Sequence, residues 1–184
     1  MHNFFSSLIL LLLSPLLLFS QAQLPSAAAL DFHKTRRTAL RKELPPNSVA
    51  VFFANPVRNR ANDVDYVYHQ DPNFFYLTGW PEPQSVFVLY SDEQTDAEGS
   101  YTHQLFIQER NPYMEMWNGY RLGKEGAEKM GFSRVQLRQD FVNNPLAFDR
   151  FDQVLFFNFF NDERDLQGDA YDMHQLKKTF KEAI

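Results

Sequence analysis

Cysteine is absent from the 184-residue chain. A disulfide framework, a thiolate metal site and a cysteine nucleophile are thereby excluded, whatever the redox compartment. Basic excess is lacking as well: 18 Lys and Arg stand against 23 Asp and Glu, a formal net charge of −5. Nonspecific nucleic-acid binding needs a basic face that neutralises phosphates, so that class is excluded too. The densest basic group, Lys34 to Lys42, reads as the wet face of a helix rather than a phosphate track. No internal repeat or low-complexity tract interrupts the chain.

Catalytic signatures are missing in the same way. There is no His-Glu-x-x-His pair and no Gly-x-Ser-x-Gly elbow. His33, His69, His103 and His174 are isolated in sequence. Gly119 to Glu125 superficially follows a phosphate loop, but it is a residue short and has Glu125 where a magnesium-binding hydroxyl is needed. Asp92, Glu93, Asp96 and Glu98 lack the turn glycine and terminal bidentate glutamate of a calcium loop. They read as a solvated loop, as do Asp162, Glu163 and Asp165. No residue of this chain is assigned as catalytic or as a metal ligand.

What is present is ordinary globular composition, 44% hydrophobic and 22% charged. The 19 Phe and 8 Tyr can fill a substantial core. The length suits one domain plus terminal segments. No formal charge precedes Asp31, and Phe4 to Phe19 is almost uninterrupted Phe, Leu, Ile and Ser around Pro15. Small residues Ser20 and Ala22 flank Gln21. Residues 1–22 therefore read as a secretory signal peptide cleaved before Gln23, which places the mature protein in the periplasm or outside the cell. The alternative is an uncleaved anchor, although the apolar run with its central proline is short against the roughly 17–25 residues a span needs. After cleavage no membrane span is expected.

Residues 23–30 read as a linker, and residues 31–184 as one domain. Asp31 is a candidate N-cap for a helix reaching about Leu44, stopped by Pro45 and Pro46. Ser48 to Ala54 predicts a central strand, apolar on both faces. Asn55 to Asp65 predicts an irregular loop, in which Arg60, Asp63 and Asp65 could form a charged brace. Asp71 to Asn73 predicts a turn leading into a strand over Phe74–Leu77, ended by Thr78 and Gly79. Glu82 sits between Pro81 and Pro83 in an extended turn. Strands follow at Val86–Tyr90 and His103–Gln108 around an acidic loop, Ser91 to Ser100. A short helix over Lys124–Met130 ends at Gly131. Leu137 to Leu146 is weakly helical, and Gln153 to Asn158 predicts a buried strand. Asp169 opens a last helix with Met173, Leu176, Phe180 and Ile184 on one stripe. The alternation predicts an α/β fold, a mixed sheet of about five or six strands with helices on both faces.

Two patches carry the functional information. The first is Asp63 to Pro83; the second is Met114 to Gly123, read as a glycine-bearing loop that presents Trp117, one of only two tryptophans. Such a loop can offer an aromatic wall to a ligand; the alternative is a tryptophan folded into the core. Together the patches resemble the N-terminal domain of aminopeptidase P, the Xaa-Pro aminopeptidases of the creatinase and prolidase superfamily. The matching residues are Arg60, Asp63, Tyr66, Tyr68, Gln70, Asn73, Phe74, Tyr76, Thr78, Gly79, Glu82 and Pro83, then Trp117, Gly119, Arg121, Leu122 and Gly123. His69 stands where that family often has arginine.

The resemblance implies a leader domain ahead of a "pita-bread" metallopeptidase domain that is absent from these residues. In the family that second domain supplies two aspartates, a histidine and two glutamates for two divalent metals, commonly manganese. It also implies peptide substrates with proline in second position, a homo-oligomer, and a substrate-binding role for Trp117. Two alternatives stay open: a non-catalytic binding or assembly module of the same fold, and the leader of a prolidase-type dipeptidase.

Overall fold

The computed structural model describes residues 24–157 and 169–184. The segment read as a signal peptide, the acidic group Asp162, Glu163 and Asp165, and Asn158 at the end of the last predicted strand lie outside the described residues.

The first helix, α1 (Ala27–Glu43), starts earlier than expected. Ser26, not Asp31, is its N-cap, accepting the Ala29 N–H. Residues 27–30, read as linker, are thus its first turn. Its chemistry allows this, because three alanines follow Ser26 and alanine is the best helix former. β1 (Ser48–Phe53) follows as predicted. The expected loop after it contains a small hairpin, β2 (Asn59–Ala61) with β3 (Val64–Asp65). Among the described residues no ion pair joins Arg60 to Asp63 or Asp65; Asp65 instead accepts from the Asn59 amide.

The expected strand over Phe74–Leu77 is a helix, α2 (Pro72–Thr78). Asp71 caps it by accepting the Phe74 N–H at 2.8 Å, and Pro72 takes the first helical position. There its missing N–H costs nothing. The alternation of aromatics suggested period two, whereas burial follows helical spacing: Phe74, Leu77 and Thr78 are inside, and Phe75 and Tyr76 are exposed. Gly79 ends the helix with φ of +64°. A Cβ there would also meet the His33 ring at 2.5 Å.

β4 (Val86–Asp96) and β5 (Gly99–Ile107) run as one long antiparallel ribbon. The acidic stretch read as a loop is therefore its outer half, with only a tight turn between the strands. Acids there are tolerated because this end projects beyond the core, and Arg134 bridges Asp96 and Glu98. α3 (Pro112–Asn118) occupies the segment predicted as a glycine-bearing loop. α4 (Gly123–Lys129) matches its prediction closely, followed by Gly131 at φ of +87°. A short strand, β6 (Val135–Leu137), precedes α5 (Arg138–Asn143), so only the middle of the weakly helical stretch is helix. β7 (Gln153–Phe156) is present but is not buried: Leu155 and Phe156 are largely exposed. Finally α6 (Met173–Ala183) is capped by Asp172 rather than Asp169, and buries Met173, Leu176 and Phe180 while Ile184 stays exposed.

The main sheet is mixed and five-stranded, in the order β6-β5-β4-β1-β7. The outer pairs, β6 with β5 and β7 with β1, are parallel, and the inner pairs are antiparallel. Helices cover both faces. Leu40 of α1, the C-cap Leu44 and Leu77 of α2 lie on the side of Ala50 and Phe52, while Phe141 of α5 and Phe180 of α6 pack on Phe53 from the other side. Among the described residues β7 is an edge strand, with β1 on one flank and no strand on the other.

Candidate functional site

The run from Asp63 to Pro83 builds a hydrogen-bonded corner. Gln70 is its centre. Its side-chain oxygen accepts from the N–H groups of Asn55 and Asp71, and its side-chain nitrogen donates to the carbonyls of Trp80 and Glu82. Thr78 donates to Phe74 O and accepts from Trp80 N–H at 3.0 Å. Trp80 is fully buried, with its indole N–H on Ser85 Oγ at 3.1 Å. Burial pushes the Tyr68 hydroxyl pKa upward, helped by Asp71 and Glu82, and this hydroxyl donates to Asn55 O. The side chains of Gln70, Thr78, Trp80 and Tyr68 thus each have a structural partner, as buried polar groups require.

Glu82 extends from the corner to a second element. Although bracketed by prolines, it is only 8% exposed. One carboxylate oxygen accepts the Leu122 N–H at 2.5 Å, across forty residues of sequence. The other is buried without a partner. Desolvation raises the Glu82 pKa above the usual carboxylate value, against lowering by the Leu122 N–H and Arg121. The sequence reading assigned Glu82 a turn and missed this tether. Its one visible signal was an acid placed just ahead of the wholly apolar run Val86–Tyr90.

The tether anchors an arm of residues 110–123. Asn111 caps α3 by accepting the N–H groups of Tyr113 and Met114. Arg110 makes a two-pronged bond to Glu115 at 2.9 and 3.0 Å, which holds the Glu115 carboxyl below its ordinary pKa. The same guanidinium lies 4.2 Å from the Tyr120 ring centroid. Gly123, at φ of +61°, passes so close to Arg110 that a Cβ would meet its Cδ at 2.5 Å. Arg110 carries no recognisable motif, and sequence reasoning missed it.

No residue of α3 is buried. Trp117 is 74% exposed, flanked by exposed Tyr113, Met116 and Tyr120. The core alternative for this tryptophan is thereby removed. Below the arm lies an open polar cleft of about 1320 Å³, lined by Tyr68, Glu82, Arg110, Tyr120, Arg121 and Arg138, among others. Arg138 is fixed there by Gln84 and by Asp169. Trp117 is outside the cleft wall. Of the residues singled out from sequence, the fold brings Glu82, Arg121 and Leu122 together and leaves Arg60 exposed on β2.

The described residues contain no group of three or more His, Asp or Glu placed to hold a metal ion. They do not fit a two-metal centre. Among them no helix is long and apolar enough to cross a membrane.

The described residues thus form a mixed-sheet α/β domain that carries an exposed aromatic arm. Comparison with known proteins places it. The family model for the aminopeptidase P N-terminal domain matches residues 33–143. The chain belongs to that family. It is 39% identical over 98 residues to intermediate cleaving peptidase 55 of Schizosaccharomyces pombe, covering 53% of this chain and 20% of that protein. It is 37% identical over 123 residues to the Xaa-Pro aminopeptidase of Escherichia coli, covering 66% of this chain and 24% of that protein. Among solved structures, aminopeptidase PepP of Pseudomonas aeruginosa superposes with a TM-score of 0.64 and 33% identity, over 77% of this chain and 30% of that one. Aminopeptidase P of E. coli with the inhibitor Pro-Leu gives 0.64 and 28%, over 87% and 33%. The chain thus spans a quarter or less of these two curated relatives.

Proposed function

We propose that this chain is the leader domain of an exported Xaa-Pro aminopeptidase, and that it shapes substrate access and subunit assembly while another domain performs hydrolysis. The observation that carries the reading is the tethered arm: a large apolar group is held out in water by Glu82 and Arg110. An exposed aromatic patch on a fixed support is favourable only if something covers it. In this reading Trp117 lines the path of a peptide whose second residue is proline, in its own or a neighbouring subunit. Two divalent metals, manganese in the first instance, would be held by residues outside this chain. Export rests on the apolar leader before Gln23.

The purified chain, incubated with manganese and a Xaa-Pro peptide, should release no first residue. Robust release would refute the assignment of hydrolysis to another domain. In the longer polypeptide, Trp117→Ala should impair peptide turnover while leaving its thermal stability unchanged. A reading frame that continues past Ile184 into two aspartates, a histidine and two glutamates would support the peptidase over a non-catalytic module.

A further inference from the structure

The basic face of α1 borders a hollow, with Lys34 and Lys42 exposed at its rim and Arg37 buried. Lys34, Arg37, Arg41 and Lys42 form one wall of a pocket of about 320 Å³, and Leu89 and Ser91 of β4 with Thr102 and His103 of β5 form the other. The spacing explains the wall, since positions three, four and seven apart share a helix face. No carboxylate lines this pocket. The nearest acid bonded to a lining residue is Asp92, which accepts from Ser91 Oγ. Among the described residues none of the four cations has an ion-pair partner.

Arg37 is the decisive member. It is only 5% exposed. Its Nη1 donates to Leu77 O at 2.9 Å, and its guanidinium lies 4.7 Å from the Phe132 ring centroid. Among the described residues its remaining N–H groups find no acceptor, and none of them is sealed from solvent. A buried charge is normally paired, because desolvation is costly otherwise. The cost is visible here: burial lowers the Arg37 pKa to about 10. Burial, together with Arg37 and Arg41, lowers that of His103 to about 4. Arg41 is partly held by the Tyr90 and Ser91 carbonyls, which fixes its head at the pocket. A fully solvated helix face would show neither the buried guanidinium nor the shared cavity. A protein of net charge −5 has concentrated four cations around one hollow.

We propose that this pocket between α1 and the β4–β5 ribbon is a binding site for a small oxyanion of the phosphate type. The anion supplies the counter-charge that Arg37 and Arg41 lack, with Lys34 and Lys42 at the entrance and the Thr102 hydroxyl beside it. The site is independent of the Trp117 arm and of any peptidase activity. The same chemistry would accept free phosphate or the phosphate of a lipid headgroup.

The test is titration of the protein with inorganic phosphate and with sulfate, in low-salt buffer, followed by calorimetry and by amide NMR shifts. Saturable one-site binding with shifts centred on Ser91, Thr102 and His103 is expected, and chloride at equal ionic strength should not reproduce it. Lys34→Ala with Lys42→Ala should weaken binding tenfold or more, since both lysines are exposed and their loss leaves the fold intact. Thr38→Glu places a carboxylate at the pocket mouth, so it should abolish phosphate binding and raise the thermal midpoint. Absence of phosphate binding beyond the chloride control would overturn the proposal. So would binding that both variants leave unchanged. Sedimentation with phosphatidylcholine vesicles containing phosphatidic acid separates the sources. Vesicle binding displaced by phosphate identifies a headgroup, and phosphate binding without it identifies the free anion.

Discussion

The Glu82 carboxylate accepts the backbone N–H of Leu122 at 2.5 Å and so joins the proline-bracketed corner to the arm that carries Trp117. This bond links the Asp63–Pro83 and Met114–Gly123 patches through a buried carboxylate. Glu82→Ala leaves the Leu122 N–H unsatisfied in a buried place, a loss of about 1–3 kcal/mol. Glu82→Gln keeps an acceptor oxygen and should restore most of it. Urea unfolding of the two variants checks the difference.

The same residue gives a pH signature. Desolvation raises the folded pKa of Glu82 above its unfolded value. Between those two values the unfolded chain loses its proton first, so stability declines as pH rises through the window. Below the unfolded value both states are neutral and the cost vanishes. Glu82→Gln cannot ionise, so its stability relative to the parent should improve on going from acid to neutral pH. Parallel denaturation curves over that range would contradict the assignment.

His103 works in the opposite direction. Its folded pKa is about 4, lowered by burial and then by Arg37 and Arg41. As pH falls below the ordinary histidine value near 6.5, the unfolded chain takes up a proton first and stability is lost. The full effect, on the order of 3 kcal/mol, is reached below pH 4. His103→Gln should flatten this part of the stability–pH profile. Bound phosphate, if present, should shift the profile of the parent and not that of Thr38→Glu.

The two tryptophans should separate cleanly. Trp117 is exposed and Trp80 is wholly buried. Trp117→Ala should change stability by less than about 0.5 kcal/mol, whereas Trp80→Ala should cost about 3–5 kcal/mol. Iodide should quench only the fluorescence lost in the Trp117 variant. A large destabilisation by Trp117→Ala would show that the arm packs on the domain.

Gly79→Ala combines a left-handed backbone with a close contact to the His33 ring. A loss of about 2 kcal/mol or more is expected, because strain and overlap add. Thermal unfolding measures it.

Where the sequence misled, it did so through local pattern. Phe74 and Tyr76 alternate with Phe75 and Leu77 as a strand would, but Asp71 and Pro72 form a helix start, and that capping chemistry prevails over a short run of aromatics. The acids between Ser91 and Ser100 resemble a loop in composition, yet after a register shift beyond Leu89 pairing with β5 resumes from Gln94 to Asp96. β7 is apolar and was read as buried, but among the described residues it lies at the sheet edge, and Leu155 and Phe156 are exposed. An edge position is not encoded in the strand itself.

The linear chain by itself determined the α/β class, the central place of β1, the stop signals at Pro45 and Gly131, and the family, because these rest on periodicity, on backbone restriction and on ordered motifs that neighbouring residues carry together. It took the folded arrangement to make Glu82 a tether, to leave Trp117 in water and to gather the cations of α1 around a hollow. Those facts depend on contacts between residues about forty or more apart, or on which face of an element meets the sheet. Burial and charge compensation are properties of that assembled arrangement, and no local run of sequence contains them.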